Sequence, residues 1–498
     1  MWGRLSLLLL LAAISLACPP LRPAAVRAAP AVRIAMIRGG DLYLLDAATG
    51  AETRLTNDGG NMDPRWNPDG TILTFVKAPA TGPQLWRGTA SRGVEQTDFP
   101  AFWGVVSPDG EAWAYSDRGP RGVDPVWVAA PAWINEHGLR SPIAPNEDGV
   151  RWEPLAWSPD GRTVALTHFN GLPPPPYPTD FHYNADATLW LTVGDPLAGK
   201  RLQLQMPPSF NDSPGVPDYA WFSPAGRFLT VGVGPAMPCN SCRADGLPIY
   251  AVPVDGGAPI ALGDGLGRAS VAWAPDDAFA VVSGPIGRWD YTNKHLTLTD
   301  TRTGAQRPLT DDPTAADTAP AVSPAGTLIA FVRGRDPGGP VNGVDAVNAA
   351  LATRRIWLAT PDGGLRPLDP GVDGWADDAP AWTPDGGAVV FVRARPSGDE
   401  LELWMIPVAG GPPRRLATDL GPRGGLGHIS TDLPFLAAMY VAVQPNPAVA
   451  PSRVAALGSG GAAGRGRGAL PLVGAGLALL GAGCGLLKLA RRTDRSSA

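Results

Sequence analysis

The sequence contains little of the chemistry on which most catalytic sites depend. It has 5 histidines and 4 cysteines among 498 residues. It has no G-x-S-x-G nucleophile motif, no Walker phosphate-binding loop and no glycine-rich dinucleotide fingerprint after a strand-like segment. These absences argue against an α/β-hydrolase, a P-loop nucleotidase and a Rossmann dehydrogenase. We therefore predict no catalytic residue, no metal ligand and no cofactor.

Basic charge is scarce in the body of the chain. Lysine occurs 4 times, and charged residues make up 17% of the sequence. Residues 31–450 hold 31 basic and 45 acidic residues, which gives this part a net charge of −14. Because such a body repels phosphate backbones, nucleic-acid binding is not expected, and a basic or neutral partner is favoured.

The N-terminal segment has the pattern of a signal peptide. Arg4 is followed by an apolar run from Leu5 to Ala17, and these 13 residues are too few to cross a bilayer of about 30 Å. Small side chains allow cleavage after Ala17 or after Ala28, and both remain open. Residues 1–28 are thus predicted to direct the chain out of the cytoplasm.

A second apolar run near the C-terminus is long enough to span a membrane. It covers residues 469–490 and is followed by Arg491 and Arg492, which favour a cytoplasmic tail at 491–498. Residues 444–468 have few large apolar side chains and are predicted to form a flexible linker. The pattern predicts a single-pass membrane protein with residues 31–443 on the extracytoplasmic side.

One turn motif recurs through the body, with Trp157-Ser158-Pro159-Asp160-Gly161 as a complete copy. Its copies and relics have their prolines at Pro68, Pro108, Pro159, Pro224, Pro275, Pro324 and Pro384, spaced 40, 51, 65, 51, 49 and 60 residues apart. Proline presets the first corner of such a turn, and glycine takes the left-handed position. A period of this size, with an apolar strand on each side of the turn, is typical of a propeller blade.

The third strand of most units carries an aromatic residue at a fixed place, as at Trp86, Trp190 and Trp404, with Thr297 as the exception. With the turns, this pattern resembles the TolB-like, WD-like propeller repeat, which also occurs in prolyl-oligopeptidase-like proteins. The resemblance covers residues 31–443 and implies an all-β propeller of four-stranded blades. Residues 33–56 and 428–443 are predicted to share one closing blade, which makes eight blades, with seven as the alternative.

Cys239 and Cys242 lie between the second and third strands of the fourth unit. An oxidising compartment favours a local disulfide between them. A c-type haem would need a histidine where Arg243 stands, and no further metal ligands are nearby. His168 and His182 fall in one unit and remain an alternative for a metal or general-base role.

Four acidic residues stand five or six positions before a turn proline, namely Asp63, Glu153, Asp218 and Asp378. In a propeller this segment opens towards one mouth of the central channel, so we predict an acidic binding site there. The leading functional hypothesis is a membrane-anchored scaffold that binds a protein or peptide. The alternative is an extracellular glycan- or peptide-cleaving propeller enzyme that uses these carboxylates or the two histidines.

Overall fold

The fold is known from a computed structural model, and structural statements below refer to the residues it describes. These are 32–67, 70–77, 84–89, 93–100, 104–108, 112–116, 126–129, 141–142, 150–170, 186–192, 201–210, 215–235, 245–421 and 441–445. All of them belong to a compact unit, Met1–Arg453, and the second unit, Val454–Ala498, lies outside them.

The described residues form eight antiparallel four-stranded sheets. The terminal sheet combines strands from both ends of this unit: β1 Arg33–Arg38, β2 Asp41–Asp46, β3 Glu52–Arg54 and β32 Val441–Val443. Sheet 1 contains β4 Asn61–Trp66, β5 Ile72–Lys77, β6 Gln84–Thr89 and β7 Gly93–Pro100. Sheet 2 contains β8 Gly104–Val106, β9 Trp113–Ser116, β10 Val126–Ala129 and β11 Ser141–Pro142. Sheet 3 contains β12 Val150–Trp157, β13 Val164–Asn170, β14 Asp186–Thr192 and β15 Arg201–Leu204.

The remaining sheets follow the same order along the chain. Sheet 4 contains β16 Gly215–Phe222, β17 Phe228–Pro235, β18 Leu247–Pro253 and β19 Ile260–Gly265. Sheet 5 contains β20 Val271–Trp273, β21 Phe279–Gly284, β22 His295–Asp300 and β23 Gln306–Pro308. Sheet 6 contains β24 Ala315–Val322, β25 Ile329–Arg335, β26 Arg355–Ala359 and β27 Leu365–Pro367. Sheet 7 contains β28 Ala376–Trp382, β29 Ala388–Ala394, β30 Leu401–Pro407 and β31 Arg414–Ala417. Within the described residues, the α-helix α1 Val344–Leu351 and the 3₁₀ turn Arg268–Ser270 interrupt the strands.

The second strands are apolar on both faces because each sheet is covered on both sides. All seven residues of β29 are buried. Seven apolar clusters among the described residues each join two neighbouring sheets, as Leu73 and Phe75 of sheet 1 join Ala35 and Ile37 of the terminal sheet. These contacts link sheet 2 through sheets 3 to 7 and the terminal sheet to sheet 1. This repeated packing of sheet on sheet is the architecture of a β-propeller.

Where the structure describes them, the recurring turns pack on the turn before them. The glycines of four turns have φ between 70° and 76°, and a Cβ added to them would lie 3.3 to 3.7 Å from Cδ of the preceding turn's proline, pairing Gly161 with Pro108, Gly226 with Pro159, Gly326 with Pro275 and Gly386 with Pro324. In sheet 5 this glycine is replaced by Asp277, with φ 57°. Its buried carboxylate instead accepts hydrogen bonds from Ser223 Oγ and the Ala225 amide of the preceding turn. The turn motif therefore connects sheets as well as strands.

The tryptophan before the turn also reaches the preceding sheet. Trp157 Nε1 donates to Val105 O at 2.8 Å, and Trp382 Nε1 donates to Ala321 O at 2.8 Å. Each acceptor stands three residues before the proline of its own turn. Trp66 Nε1 makes the equivalent bond to Ala442 O at 3.1 Å.

That last bond identifies β32 as the first strand of the terminal sheet. Ala442 precedes Pro445 by three residues, and Gln444 Nε2 donates to Gly70 O at 2.5 Å. Gln444-Pro445 thus occupies the place of the Ser-Pro pair in the other turns. The sharing of one sheet between the two ends agrees with the sequence-based expectation. However, the strand and its turn extend two residues into the segment predicted to be linker.

Among the residues that the structure describes, no helix has the length and apolar character needed to cross a membrane. The predicted signal peptide 1–28, the membrane segment 469–490 and the tail 491–498 lie outside those residues.

Two truncations test the role of β32. A chain ending at Pro445 keeps β32, whereas one ending at Tyr440 loses it together with the bonds from Trp66 and Gln444. Since a net hydrogen bond contributes roughly 0.5–1.5 kcal/mol, we expect the shorter chain to lose on the order of 3 kcal/mol and to aggregate through the bared edge of β1. Thermal unfolding and light scattering measure both effects. Equal melting temperatures and equal monodispersity would contradict the assignment of β32.

Candidate functional site

The antiparallel order separates two ends of the sheets. The turns after the first strands lie at one end, the turn end. The connections between second and third strands, and those that lead into each first strand, lie at the other. We call this other end the loop end, and its longest described connections are 285–294, 336–354 and 368–375, the second of which contains α1. The connections at the loop end differ in length from sheet to sheet, whereas the turns at the turn end repeat one motif.

Three sheets are joined at the loop end by a buried ionic cluster. The Arg354 guanidinium contacts Asp290 Oδ1 at 2.7 Å and donates to Asp378 Oδ2 at 2.5 Å. All three side chains are buried. Burial works against the charge of Arg354, but the two carboxylates raise its pKa above the usual value. Burial also raises the pKa of Asp378, although Arg354 opposes the shift. The cluster ties connection 285–294 to the starts of β26 and β28.

A second buried arginine repeats this arrangement within sheet 7. Arg393 Nε donates to Asp377 Oδ1 at 2.6 Å, and its Nη2 donates to Asp369 Oδ2 at 2.6 Å and to Asp377 Oδ2 at 3.0 Å. Burial raises the pKa of Asp377 to about 6, against the opposing charge of Arg393. The pair is cross-strand, since Asp377 faces Arg393 in the ladder, and Asp317 faces Arg333 in the same way. These ions position connection 368–375.

Connection 285–294 is fixed mainly by backbone acceptors. Lys294 Nζ donates to Pro285 O at 2.6 Å and to Gly287 O at 2.9 Å, and burial lowers the pKa of this amine. Thr292 Oγ1 donates to Asp336 Oδ1 at 2.7 Å, which joins this connection to the next one. The loop end is therefore held in one conformation by ions and hydrogen bonds.

Exposed apolar side chains lie on these same connections. Four large apolar side chains of the described residues are exposed, and three belong to the loop end: Trp289 at 38%, Val344 at 58% and Val372 at 46%. Trp289 packs against Tyr291, with ring centroids 5.9 Å apart, and the Val341 amide donates to Tyr291 Oη at 3.4 Å. Val372 O accepts from Arg355 Nη2 at 3.3 Å. We call Trp289, Val344 and Val372 the apolar patch.

The predicted carboxylates lie in the first strands, but in different settings. Asp63 is partly exposed and forms an ion pair with Arg65 Nε at 2.8 Å. Glu153 faces Thr167 across sheet 3, and Asp218 lies at a bulge in β16; both are half-buried. Asp378 is fully buried by its pairing with Arg354, so it is not an open carboxylate at a channel mouth. Convergence of all four into one acidic site remains a prediction.

The histidine and cysteine hypotheses have different outcomes. The His168 ring packs against Trp152, with centroids 4.2 Å apart, and its Nδ1 lies 3.3 Å from Thr188 Oγ1. His182, Cys239 and Cys242 lie outside the described residues. Within the described ranges, no group of three or more His, Cys, Asp or Glu side chains is arranged to hold a metal ion.

Sheet order, inter-sheet packing and the loop end together define a β-propeller whose connections at one end are held by buried ions. No protein-family model matches the chain. A segment of 65 residues is 37% identical to Tol-Pal system protein TolB 1 of Novosphingobium aromaticivorans, covering 13% of this chain and 14% of that protein.

Solved structures share the fold at low sequence identity. Dipeptidyl peptidase 4 of Porphyromonas gingivalis matches with a TM-score of 0.51 and 11% identity, over 79% of this chain and 60% of that one. TolB of Acinetobacter baumannii matches with a TM-score of 0.34 and 16% identity, over 55% of this chain and 62% of that one. The resemblance to TolB-like propellers predicted from the repeat is confirmed by the 65-residue match to TolB 1. The chain spans less than two thirds of each of these proteins.

Removal of Arg354 tests the ionic cluster. Arg354→Met removes the guanidinium that Asp290 and Asp378 share in the buried cluster, which is expected to lower the free energy of unfolding by roughly 3–5 kcal/mol. Adding Asp290→Asn and Asp378→Asn should restore part of this loss, since the penalty comes from burying two carboxylates without that guanidinium. Arg395→Met is the control, because the Arg395 side chain is 39% exposed and its pair with Glu400 spans 4.0 Å; it should cost less than about 1 kcal/mol. Denaturant titration measures each value, and equal losses for the two arginines would contradict the cluster's role.

Proposed function

We propose that this protein is an extracytoplasmic, membrane-anchored scaffold whose loop end binds a protein or peptide partner. One observation carries the proposal: three of the four exposed large apolar side chains in the described residues lie on connections held by buried ions. Exposed apolar surface on a fixed backbone is typical of interaction sites, because little conformational entropy is lost on binding.

Charge around the apolar patch favours a basic partner. Asp311, Asp312, Asp345 and Asp373 are exposed on the connections of the loop end. The nearby Arg288 is already paired with Asp245 at 2.7 Å. We therefore expect the partner to insert apolar or aromatic side chains between basic ones, with association that weakens as salt rises.

We further propose that the eight sheets form one closed ring of eight blades. The apolar clusters link the sheets in the order 2, 3, 4, 5, 6, 7, terminal, 1, and sheets 1 and 2 follow each other directly in the chain. Closing the remaining gap between sheets 1 and 2 would leave no outer sheet face exposed at either end of the series. A ring of this kind presents its connections as one rigid surface.

The membrane arrangement rests on the sequence pattern. The apolar run 469–490 and the Arg491-Arg492 flank favour a C-terminal anchor with the propeller outside. The part of the flexible linker that follows β32 and its turn, residues 446–468, would let the loop end reach partners near the membrane. Protease added to intact cells should cleave this linker, while a tag placed after Ala498 should stay protected. If the protease digests the tag and leaves the propeller intact, the proposed orientation in the membrane is contradicted.

Capture of partners tests the apolar patch. The full-length chain, purified in detergent, is used as bait for solubilised membrane proteins in three forms: wild type, Trp289→Ser with Val344→Ser, and Leu365→Ser. Leu365 is the matched control, since it is exposed to 39%, like Trp289 at 38%, but lies in β27 rather than on the loop-end connections. We expect a protein that is captured by wild type and the control, lost with the double variant, and released as salt rises. Identical capture by all three forms would contradict the proposal.

A further inference from the structure

The sequence contains two asparagine–glycine pairs, Asn170-Gly171 and Asn342-Gly343. In such a pair the backbone nitrogen that follows the asparagine is within reach of the asparagine's own side-chain carbonyl carbon. Glycine offers the least obstruction to this approach, because it has no Cβ and its backbone adopts conformations that other residues avoid. The two asparagines are thus chemically alike, and the fold decides how freely each of them can rearrange.

The backbone of Asn170 is held within a paired strand. Asn170 is the last residue of β13, and it lies opposite Val150 of β12 on one side and Asp186 of β14 on the other. Its ψ is therefore the extended value of an antiparallel strand. A change of this angle requires that part of sheet 3 to open locally.

Asn342 lies instead in connection 336–354 at the loop end, one residue before Gly343, the N-cap of α1. Both residues are exposed to solvent. The φ of Gly343 is 87°, and a Cβ added to it would have no atom of the described residues within 4 Å beyond its own chain neighbours. The backbone at this point is therefore open on all sides and free to rotate without displacing packed atoms.

Helix α1 does not engage the nitrogen of Gly343. The carbonyl oxygen of Gly343 accepts a hydrogen bond from the Val347 amide at 3.2 Å, so only its acceptor is used by the helix. In a capping box, a Glu or Gln at the third helical position binds the amide of the N-cap, but that position here is Ala346. Among the described residues, neither the Gly343 amide nor the Asn342 side chain forms a hydrogen bond.

We propose that Asn342 is a site of spontaneous deamidation, which proceeds by cyclisation onto the nitrogen of Gly343. This nitrogen forms a bond to Asn342 Cγ and gives up its proton, while the bond from Cγ to Nδ2 breaks and ammonia leaves. Water then opens the resulting succinimide ring. Addition of water at the former side-chain carbon gives aspartate, and addition at the backbone carbonyl carbon gives isoaspartate.

Either product adds one negative charge to the loop end. The new carboxylate lies one residue before the N-cap of α1 and two residues before Val344 of the apolar patch. The N–H groups at the start of a helix favour a nearby anion, so α1 is expected to persist. The added charge would strengthen attraction for a basic partner. This consequence alone rests on the proposed function, since the modification itself needs no partner.

Peptide mass spectrometry of the aged, full-length chain in detergent tests the proposal. Trypsin places the two pairs in separate peptides, 163–200 and 336–354, and the second also contains Asn348 of α1 as an internal control. Incubation at mildly alkaline pH should raise the mass of 336–354 by the difference between water and ammonia, with the change at Asn342 alone. We expect a rate at least about tenfold above that at Asn170, which corresponds to a barrier lower by about 1.4 kcal/mol.

Incubation in denaturant separates the effect of the fold from that of the sequence. Both asparagines then precede glycine in an unfolded chain, so the ratio of the two rates should fall towards one. Asn342→Gln is the matched variant, because glutamine keeps the exposed amide but would have to close a larger ring. Its peptide 336–354 should stay unmodified under native conditions.

The route is tested with an isoaspartyl methyltransferase and labelled S-adenosylmethionine, which should label aged wild type and leave Asn342→Gln at the level of fresh protein. Three results would overturn the proposal: an unmodified Asn342 in the folded chain, a native rate at Asn170 that equals or exceeds the rate at Asn342, or aspartate without isoaspartate at position 342. A rate ratio that is the same in denaturant would also overturn it, because the fold would then have no part in the selectivity.

Discussion

The contact on which this fold depends is the packing of each turn upon the turn before it. A glycine in the left-handed conformation lies against the preceding proline, and a tryptophan indole binds a backbone carbonyl of the preceding first strand. Because the same contacts recur, each first strand is placed relative to the previous one by local chemistry. Asp277 shows how firmly the position is constrained, since the side chain that replaces glycine there restores the link through its carboxylate.

Such repeated contacts explain why much of the fold could be predicted from the sequence. The order proline, aspartate, glycine indicates a turn, and apolar strands flank it in the sequence. The shared terminal sheet was predicted from the unpaired strands at 33–56. Its turn, Gln444-Pro445, was not recognised, because it keeps only the proline of the motif. What reveals it is the bond from Trp66 to Ala442, which is formed between residues nearly four hundred positions apart.

The candidate site was harder to predict because its partners are distant in sequence and its register is not uniform. Counting back from the proline placed Asp63 and Asp378 in one group, but Asp63 occupies a bulge with φ 53°, a position filled by Ala379 in sheet 7 with φ 50°. Asp378 is the residue before that bulge, and its partner Arg354 comes from the preceding sheet. No fixed spacing in the sequence links Asp378 to Arg354. The apolar patch gave no signal either, since isolated Trp and Val residues are common in strands and loops alike.

The residues at the two ends of the sheets are therefore constrained by different interactions. At the turn end, the geometry of sheet-to-sheet packing dictates glycine, proline and tryptophan, which leaves little freedom for recognition. At the loop end, connection length and sequence vary, and conformation is fixed instead by arginines that each bind two carboxylates. Each of these two clusters holds one arginine and two carboxylates and so keeps one excess negative charge, but all of its side chains are buried and not open to contact by a ligand. We therefore propose that recognition depends on side chains outside these clusters, such as those of the apolar patch, which are exposed on connections that the buried ions hold in place.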